Sequence, residues 1–501
     1  MPAAATLWEA FRRAAARTPR ARALSDVTST YTYAELQARA TALAGSLARA
    51  GVQPSDTVIF AADRTADATI GLLAIAAAGA VPVPVDVESP GPRLQQVVAA
   101  SGAACAVADG VGAQALAGAP LRIVGVGDTA APHSSSAGDR SSLAYVLFTS
   151  GSTGVPKGVE LTHGNFLSLL AGADRWDEGA PPRVWASTHA FTFDVSVWEM
   201  WRPLTGGGEL FMMPRAAQVD ADLAYELLAE RSISVACQTP TALRLLANRV
   251  SERGPLPALT RMFIGGERLD FATLEPFRDA LASGSFIAWN VYAPTETTVY
   301  STAYRITAEA VASERRSLLG RALPHVRVTL RDVDEDGVGE VVIAGDAVAR
   351  GYRGDPELTA ARFGTDGAMR TYLTGDLARD TGDGVLEFVG RKGGYVKVRG
   401  FRVERGEVVA AVCAHPAVDE AAVSVVDVMG AGDSIVVGVV PRPGATVGDL
   451  DLRRHLSGLL PAYMRPSRIV FLDRLPRLPS AKLDQRAVDE MLGREAAAGV
   501  G

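Results

Sequence analysis

Short apolar, β-rich runs alternate with longer Ala/Leu-rich stretches through the first three-quarters of the chain. The runs fall at 57–61, 80–85, 184–187, 209–213, 234–238, 262–264 and 286–288. Such alternation predicts a parallel sheet covered by helices. At the N-terminus, Leu7, Phe11, Ala14 and Ala15 recur at helical spacing, and the segment carries the acidic Glu9. This predicts an amphipathic helix rather than a transit peptide. The most apolar stretch, 69–85, contains Pro82 and Pro84; it predicts a helix turning into a strand, not a membrane span. From 325 to 386 the pattern becomes short strands and turns, the mark of a small β-rich unit. Near Gly390 it shifts again, with the sequence KGG at 392–394 and a fresh strand–helix–strand pattern to the end. A domain boundary is expected there, giving residues 1–390 and 391–501.

Composition narrows the class. The 501 residues exceed one ordinary core, and 48% hydrophobic with 21% charged residues fits a soluble globular protein. A formal charge of −6 leaves no basic footprint for nucleic acid. Cys105, Cys237 and Cys413 show no CxxC spacing, and the six histidines form no HxH or HxxxH pair. Neither a disulfide framework nor a histidine metal site is expected, and a reducing, cytoplasmic setting is.

One stretch carries chemistry. Residues 149–158 read TSGSTGVPKG, directly after the apolar run 143–148 (LAYVLF). Glycines, small hydroxyl residues and one lysine offer exposed N–H groups, little bulk and a mobile cation, the properties that wrap a polyphosphate. On composition alone a flexible surface loop remains open. It is not a Walker loop, because Lys157 is followed by Gly158, and not a GxSxG nucleophile elbow. A loose GxGxxG/A match at Gly125, Gly127 and Ala130 runs into a segment that cannot open a helix, and 130–142 reads as a mobile linker.

Beside nine further stretches the loop takes on a definite meaning. In order these are TYAEL (32–36), AAGAVPVPVD (77–86), FTFDVSVWE (191–199), NVYAPTET (290–297), GEVVIAGDAVARGY (339–352), YLTGDL (372–377), GRKGGYVKVRGFRVERGEV (390–408), LPAYMRP (460–466) and SAKLD (480–484). With them the chain resembles the adenylate-forming superfamily, and within it the amino-acid adenylation domains of nonribosomal peptide synthetases.

The resemblance implies an α/β fold: a large N-terminal domain of stacked α/β subdomains plus a small β unit, with a smaller mobile α+β C-terminal lid. It implies attack of a carboxylate on the α-phosphate of ATP, giving an aminoacyl-adenylate and pyrophosphate. Two anions must meet, so cations and oriented N–H groups do the work, and no nucleophilic dyad is needed. By the same resemblance Thr149, Ser150, Gly151, Ser152, Thr153, Gly154 and Lys157 hold the β and γ phosphates. Glu296 holds Mg²⁺, a hard cation served by few carboxylates plus phosphate and water. Thr295 lies beside the α-phosphate, Tyr292 stacks on adenine and Asn290 sits near its amino group. Asp376, supported by Arg391, accepts hydrogen bonds from the ribose hydroxyls. Lys482 reaches in from the C-terminal domain to the substrate carboxylate and the α-phosphate.

Asp194 matches the aspartate that holds a substrate α-ammonium, which favours an amino acid over a plain acid. The remaining pocket positions, aligned on local motifs, are Val195, Trp198, Cys237, Phe263, Gly265, Val291, Val299 and Tyr300. Trp198, Phe263 and Tyr300 take up volume, Gly265 concedes it, and no further charge but Lys482 appears. A small neutral amino acid is therefore expected. Three positions depart from the family pattern: Gly393 replaces the usual hinge aspartate, Ala293 a glycine, and SAKLDQ a common NGKVDR. The chain ends soon after Lys482 with no carrier motif, so a stand-alone enzyme loading the phosphopantetheine thiol of a separate carrier protein is expected, without a membrane partner. An acyl- or aryl-CoA ligase shares every ATP motif and is the alternative. A non-catalytic nucleotide or amino-acid sensor is the alternative of another class.

Overall fold

The computed structural model describes residues 4–135, 137–149, 156–176, 183–314, 316–392, 395–398, 401–427, 433–442, 444–477 and 483–498. The chain divides into two compact units. One comprises Met1–Val87, Val98–Phe148 and Gly158–Lys392; the other comprises Glu88–Val97, Thr149–Lys157 and Gly393–Gly501.

The first unit opens with the helix Leu7–Arg17, which Thr6 caps by accepting from Glu9 N at 3.1 Å. It buries Leu7, Phe11, Ala14 and Ala15, the stripe read from the sequence, together with Trp8. The TYAEL stretch is a helix start. Thr32 and Glu35 form a reciprocal capping box on Tyr33–Arg49, and the buried Tyr33 hydroxyl donates to Gly208 O at 2.8 Å. A four-stranded parallel sheet follows, in which Thr57–Ala61 and Cys105–Ala108 are central. Val81–Pro84 lies at its edge, where two prolines leave no missing ladder bond unsatisfied. The helix Ala66–Ala77 precedes that strand, and among the described residues no helix is long and apolar enough to cross a membrane.

A 14-stranded sheet dominates the unit. Its α/β part sets Glu209–Met212, Val184–Ser187, Val235–Gln238, Arg261–Gly265 and Ile287–Tyr292 parallel and side by side. Antiparallel strands continue it through Thr302–Ile306 and Leu318–Ala322 into the β-rich stretch. Alternation splits the strand Arg261–Gly265 between two cores: Phe263 packs with the aromatic residues of one face, Met262 and Ile264 with the helices of the other. The segment expected to be a mobile linker is tied down. Ala130 N, His133 N and Ser135 N donate to Ala42 O, Thr41 O and Ala77 O at 3.1, 2.9 and 2.7 Å, and Trp8 Nε1 donates to Ser134 Oγ at 2.8 Å. Backbone bonds to helix carbonyls hold it, and composition does not reveal those.

The second unit has its own core, around Val403, Val408, Val412, Val437 and Leu452. A hairpin, Tyr395–Val398 with Phe401–Glu404, leads into the helix Arg405–Cys413. The strands Val418–Asp427, Asp433–Pro441 and Arg468–Phe471 form a three-stranded sheet with the helices Asp449–Ser457 and Gln485–Ala498.

Candidate active site

The pocket residues gather at the carboxyl ends of the parallel strands, where open α/β sheets place their ligands. Cys237 is the register partner of Phe263, and Gly265 that of Val291. The helix Asp194–Gly206 follows the strand Val184–Ser187 and starts beside them. Asp194 is its first residue, 6% exposed, where first-turn N–H groups and the helix dipole favour a carboxylate. One turn later Trp198 meets Tyr300 edge-on, ring centroids 5.5 Å apart; Phe263 lies 6.0 Å from both rings. The Tyr300 hydroxyl lies 3.6 Å from Cys237 Sγ. Burial, then Cys237, Glu199 and Asp194, push the Tyr300 phenol well above its ordinary pKa, so it stays a neutral donor. The structure thus brings Asp194, Trp198, Cys237, Phe263 and Tyr300 into one cluster. Val195 is half-buried on the same helix, and Val291 and Val299 are buried.

Gly265 departs from the sequence reading. A Cβ built on it would lie 2.6 Å from Val291 O and 2.8 Å from Val291 Cγ2. The space beside this glycine is filled by its neighbouring strand, so it concedes no volume to a substrate; it lets two strand ends approach closely.

The nucleotide side is equally connected. Tyr292 closes the strand Ile287–Tyr292, and its hydroxyl donates to Asp376 Oδ2. Asp376 faces Arg391 across the ladder, and Arg391 donates to Asp376 Oδ1 and, at 2.8 Å, to Thr374 O. Asn290 donates through Nδ2 to Leu318 O at 2.7 Å, which fixes its amide plane. Thr295 and Glu296 form a 3-10 turn just beyond the strand. Glu296 is 1% exposed and accepts from the Tyr352 hydroxyl at 2.8 Å. Directly after the turn, Thr298 and Val299 take φ of 58° and 66°. For a β-branched residue this is a strained conformation, and Thr298 Oγ1 secures it by donating to Ala347 O at 2.6 Å.

The strands Leu143–Thr149 and Lys157–Thr162 are hydrogen-bonded neighbours, so the glycine-rich loop joins strand to strand and no helix end follows it. Ser150, Gly151, Ser152, Thr153 and Gly154 lie outside the described residues, as do Gly393 and Lys482. At the loop's two ends, Thr149 Oγ1 is buried without a hydrogen-bond partner among the described residues, and Lys157 Nζ lies 3.8 Å from Glu404 Oε1. A buried hydroxyl lacking a partner among the described residues fits a phosphate, whereas Glu404 already engages the Lys157 ammonium. Among the described residues no cluster of three or more His, Cys, Asp or Glu side chains could hold a metal alone. The single carboxylate of Glu296 suits a magnesium that takes its other ligands from phosphate and water.

Glu199 went unassigned in the sequence, although a carboxylate inside DVSVWEMW signals a buried, paired charge. It is fully buried, and accepts from Thr188 N, His189 N and His189 Nδ1 at 3.0, 3.1 and 2.8 Å. Burial alone would raise its carboxyl, but His189, Arg64 and these hydrogen bonds hold it below the ordinary range. Arg64 in turn donates to Ser187 O and Thr188 O. The network pins the end of the strand Val184–Ser187 to the helix that presents Asp194.

Known proteins share this architecture. The AMP-binding enzyme family model matches residues 11–353, and the AMP-binding enzyme C-terminal domain model matches 407–482. Malpinin synthetase of Mortierella alpina is 35% identical over 96% of this chain and 6% of its own length. Syringomycin synthase SyrB1 of Pseudomonas syringae pv. syringae is 34% identical over 96% of this chain and 81% of its own. The chain spans under a quarter of the length of several other such relatives, 21% and 9% in two cases. NpsA-ThdA, an artificially fused adenylation-PCP di-domain from Klebsiella oxytoca, superposes with a TM-score of 0.83 at 26% identity over 94% of each chain. Family model, relatives and structure agree: the chain belongs to the AMP-binding enzymes and is an adenylate-forming adenylation domain of the nonribosomal peptide synthetase type.

Proposed function

We propose that the protein activates a small neutral amino acid with ATP and passes it to the phosphopantetheine thiol of a carrier protein. The observation that carries this reading is Asp194, a buried carboxylate on a helix start beside the Trp198–Phe263–Tyr300 cluster. A substrate ammonium is the natural partner for such a group, and three large rings leave room for little beyond a short side chain. Lys482 aside, the pocket positions offer no other charge, so a charged side chain would be buried without a counter-ion.

The carboxylate oxygen of the amino acid attacks the α-phosphorus of ATP. The bond to the bridging oxygen breaks, and pyrophosphate leaves with that electron pair. Thr149, Lys157 and the loop between them grip the departing phosphates, and Thr295 orients the α-phosphate. Tyr292, Asn290, Asp376 and Arg391 hold the nucleoside, with Asp376 accepting from the ribose hydroxyls. Magnesium held by Glu296 would supply positive charge to the phosphate oxygens. By family resemblance Lys482 adds charge at the reacting centre, and Gly393 serves as the hinge of a C-terminal lid formed by 391–501. In the second half-reaction the carrier thiol attacks the adenylate carbonyl, and AMP leaves. The carrier-fused neighbour NpsA-ThdA supports such a partner.

ATP–pyrophosphate exchange across the amino acids, each paired with its plain-acid analogue, tests the reading. Removing one partner of a buried charge pair costs about 3–5 kcal/mol, so Asp194→Ala should lose roughly two to four orders of magnitude in kcat/KM for the amino acid. Activation of the plain acid should barely change. Preference for a charged or aromatic amino acid, or equal loss with both acids, refutes the assignment. Thioester formation with free coenzyme A but no carrier loading would favour the CoA ligase.

A further inference from the structure

The strand Gly351–Tyr352 pairs with Lys157–Thr162, the strand that leaves the glycine-rich loop, and sets Tyr352 opposite Val159. Arg353 N donates to Gly158 O at 2.7 Å and extends this pairing to the residue beside Lys157. From that fixed base the Tyr352 hydroxyl donates to Glu296 Oε1 at 2.8 Å, across 56 residues of sequence. The Tyr372 hydroxyl lies 3.3 Å from that of Tyr352. A phenol has one hydrogen, so once Tyr352 donates to the carboxylate it accepts from Tyr372. Phe363 packs on both rings, with centroids 5.3 and 4.9 Å away, and leaves the two phenols little freedom to swing. The backbone repeats the link: Ala349 N donates to Glu296 O at 2.9 Å.

We propose that Tyr352 is a positioning residue that locks the Glu296 carboxylate to the strand leaving the phosphate loop. This rests on reading Glu296 as the magnesium carboxylate. Metal and polyphosphate must sit at one fixed separation, and their holders come from distant parts of the chain. The hydroxyl relay Tyr372 to Tyr352 to Glu296 ties the carboxylate to the strand that leaves the loop. It occupies one lone pair of Oε1 with a charge-assisted hydrogen bond, which selects a single rotamer of the carboxylate.

Magnesium titration of ATP–pyrophosphate exchange by the full chain tests this. Tyr352→Phe removes only the hydroxyl, and should raise the magnesium concentration for half-maximal exchange about tenfold, the usual scale for a hydrogen bond to a charged group. The amino-acid KM should stay unchanged. Tyr372→Phe should shift the magnesium response less and in the same direction, and it decides the matter should Tyr352→Phe not fold. Glu296→Gln should raise the requirement further, and adding Tyr352→Phe to it should bring no additional shift. A wild-type magnesium curve for Tyr352→Phe, with a shifted one for Glu296→Gln, overturns the positioning role and leaves Glu296 in place. A wild-type curve for Glu296→Gln overturns the metal reading itself. Loss of melting temperature and rate without any magnesium shift assigns Tyr352 a purely structural part, and equally overturns the proposal.

Discussion

Replacing Gly265 with alanine separates two views of the pocket. If the glycine makes room for substrate, the added methyl enters open space, melting is unchanged, and selectivity shifts toward smaller amino acids. The geometry says otherwise. The new Cβ would stand 2.6 Å from Val291 O, about 0.7 Å inside an ordinary carbon–oxygen contact. Val291 Cγ2 would be 2.8 Å away, and that methyl can turn; the carbonyl belongs to a paired strand and cannot. Overpacking of this kind costs about 1–3 kcal/mol, which in a chain of this size lowers the melting temperature by a few degrees. The strand that must yield also carries Asn290 and Tyr292, the proposed nucleoside contacts. A misplacement approaching about 1 Å costs up to roughly a hundredfold in rate, so kcat/KM should fall about ten- to a hundredfold for every amino acid alike. Differential scanning fluorimetry and pyrophosphate exchange read both effects. Native melting with a changed order of substrates would refute the close-approach argument.

Two further outcomes are expected. Burial depresses the His325 imidazole to about 4, while its Nε2 donates to Tyr300 O at 3.0 Å. Such a histidine is neutral when folded and protonated when unfolded below its ordinary pKa near 6.5. Its stability contribution is therefore complete above that pH and is lost as pH falls toward 4, by about 1.4 kcal/mol at pH 5.5. His163, also depressed to about 4 by burial, adds a term of the same sign, so His325→Gln should flatten the pH dependence of melting between pH 7.5 and 5.5 only in part. An unaltered dependence would remove His325 from the account. Lys482→Ala should cut adenylate formation sharply while leaving ATP affinity intact, read by exchange and by calorimetric titration; full exchange activity would refute its catalytic role.

The strands at 57–61 and 184–187 were legible to the residue, because apolar β-rich runs bounded by turns have few other uses. Pocket members far apart in sequence, such as Cys237 and Tyr300, could be nominated from local motifs, and the structure brings them to 3.6 Å. Where the reading fell short, the missing information was three-dimensional. The direction of a Cβ that glycine lacks cannot be seen in a string, so Gly265 reads as spare volume. Tyr352 sits inside a recognised stretch without a role, since its contact with Glu296 joins residues 56 apart in the sequence. The segment 130–135 reads as free because backbone hydrogen bonds to helix carbonyls have no side-chain signature.

The consecutive left-handed residues Thr298 and Val299 bear on any effort to recode the pocket. In the proposed function, position 299 would touch specificity through its side chain and the magnesium carboxylate through its backbone, three residues from Glu296. Glycine or asparagine there would relax the turn and let Glu296 drift, whereas isoleucine would keep the turn at the same strain. Reprogramming at this position is thus a choice of backbone as much as of side chain, and libraries that vary Val299 alone will mix altered selectivity with altered magnesium dependence.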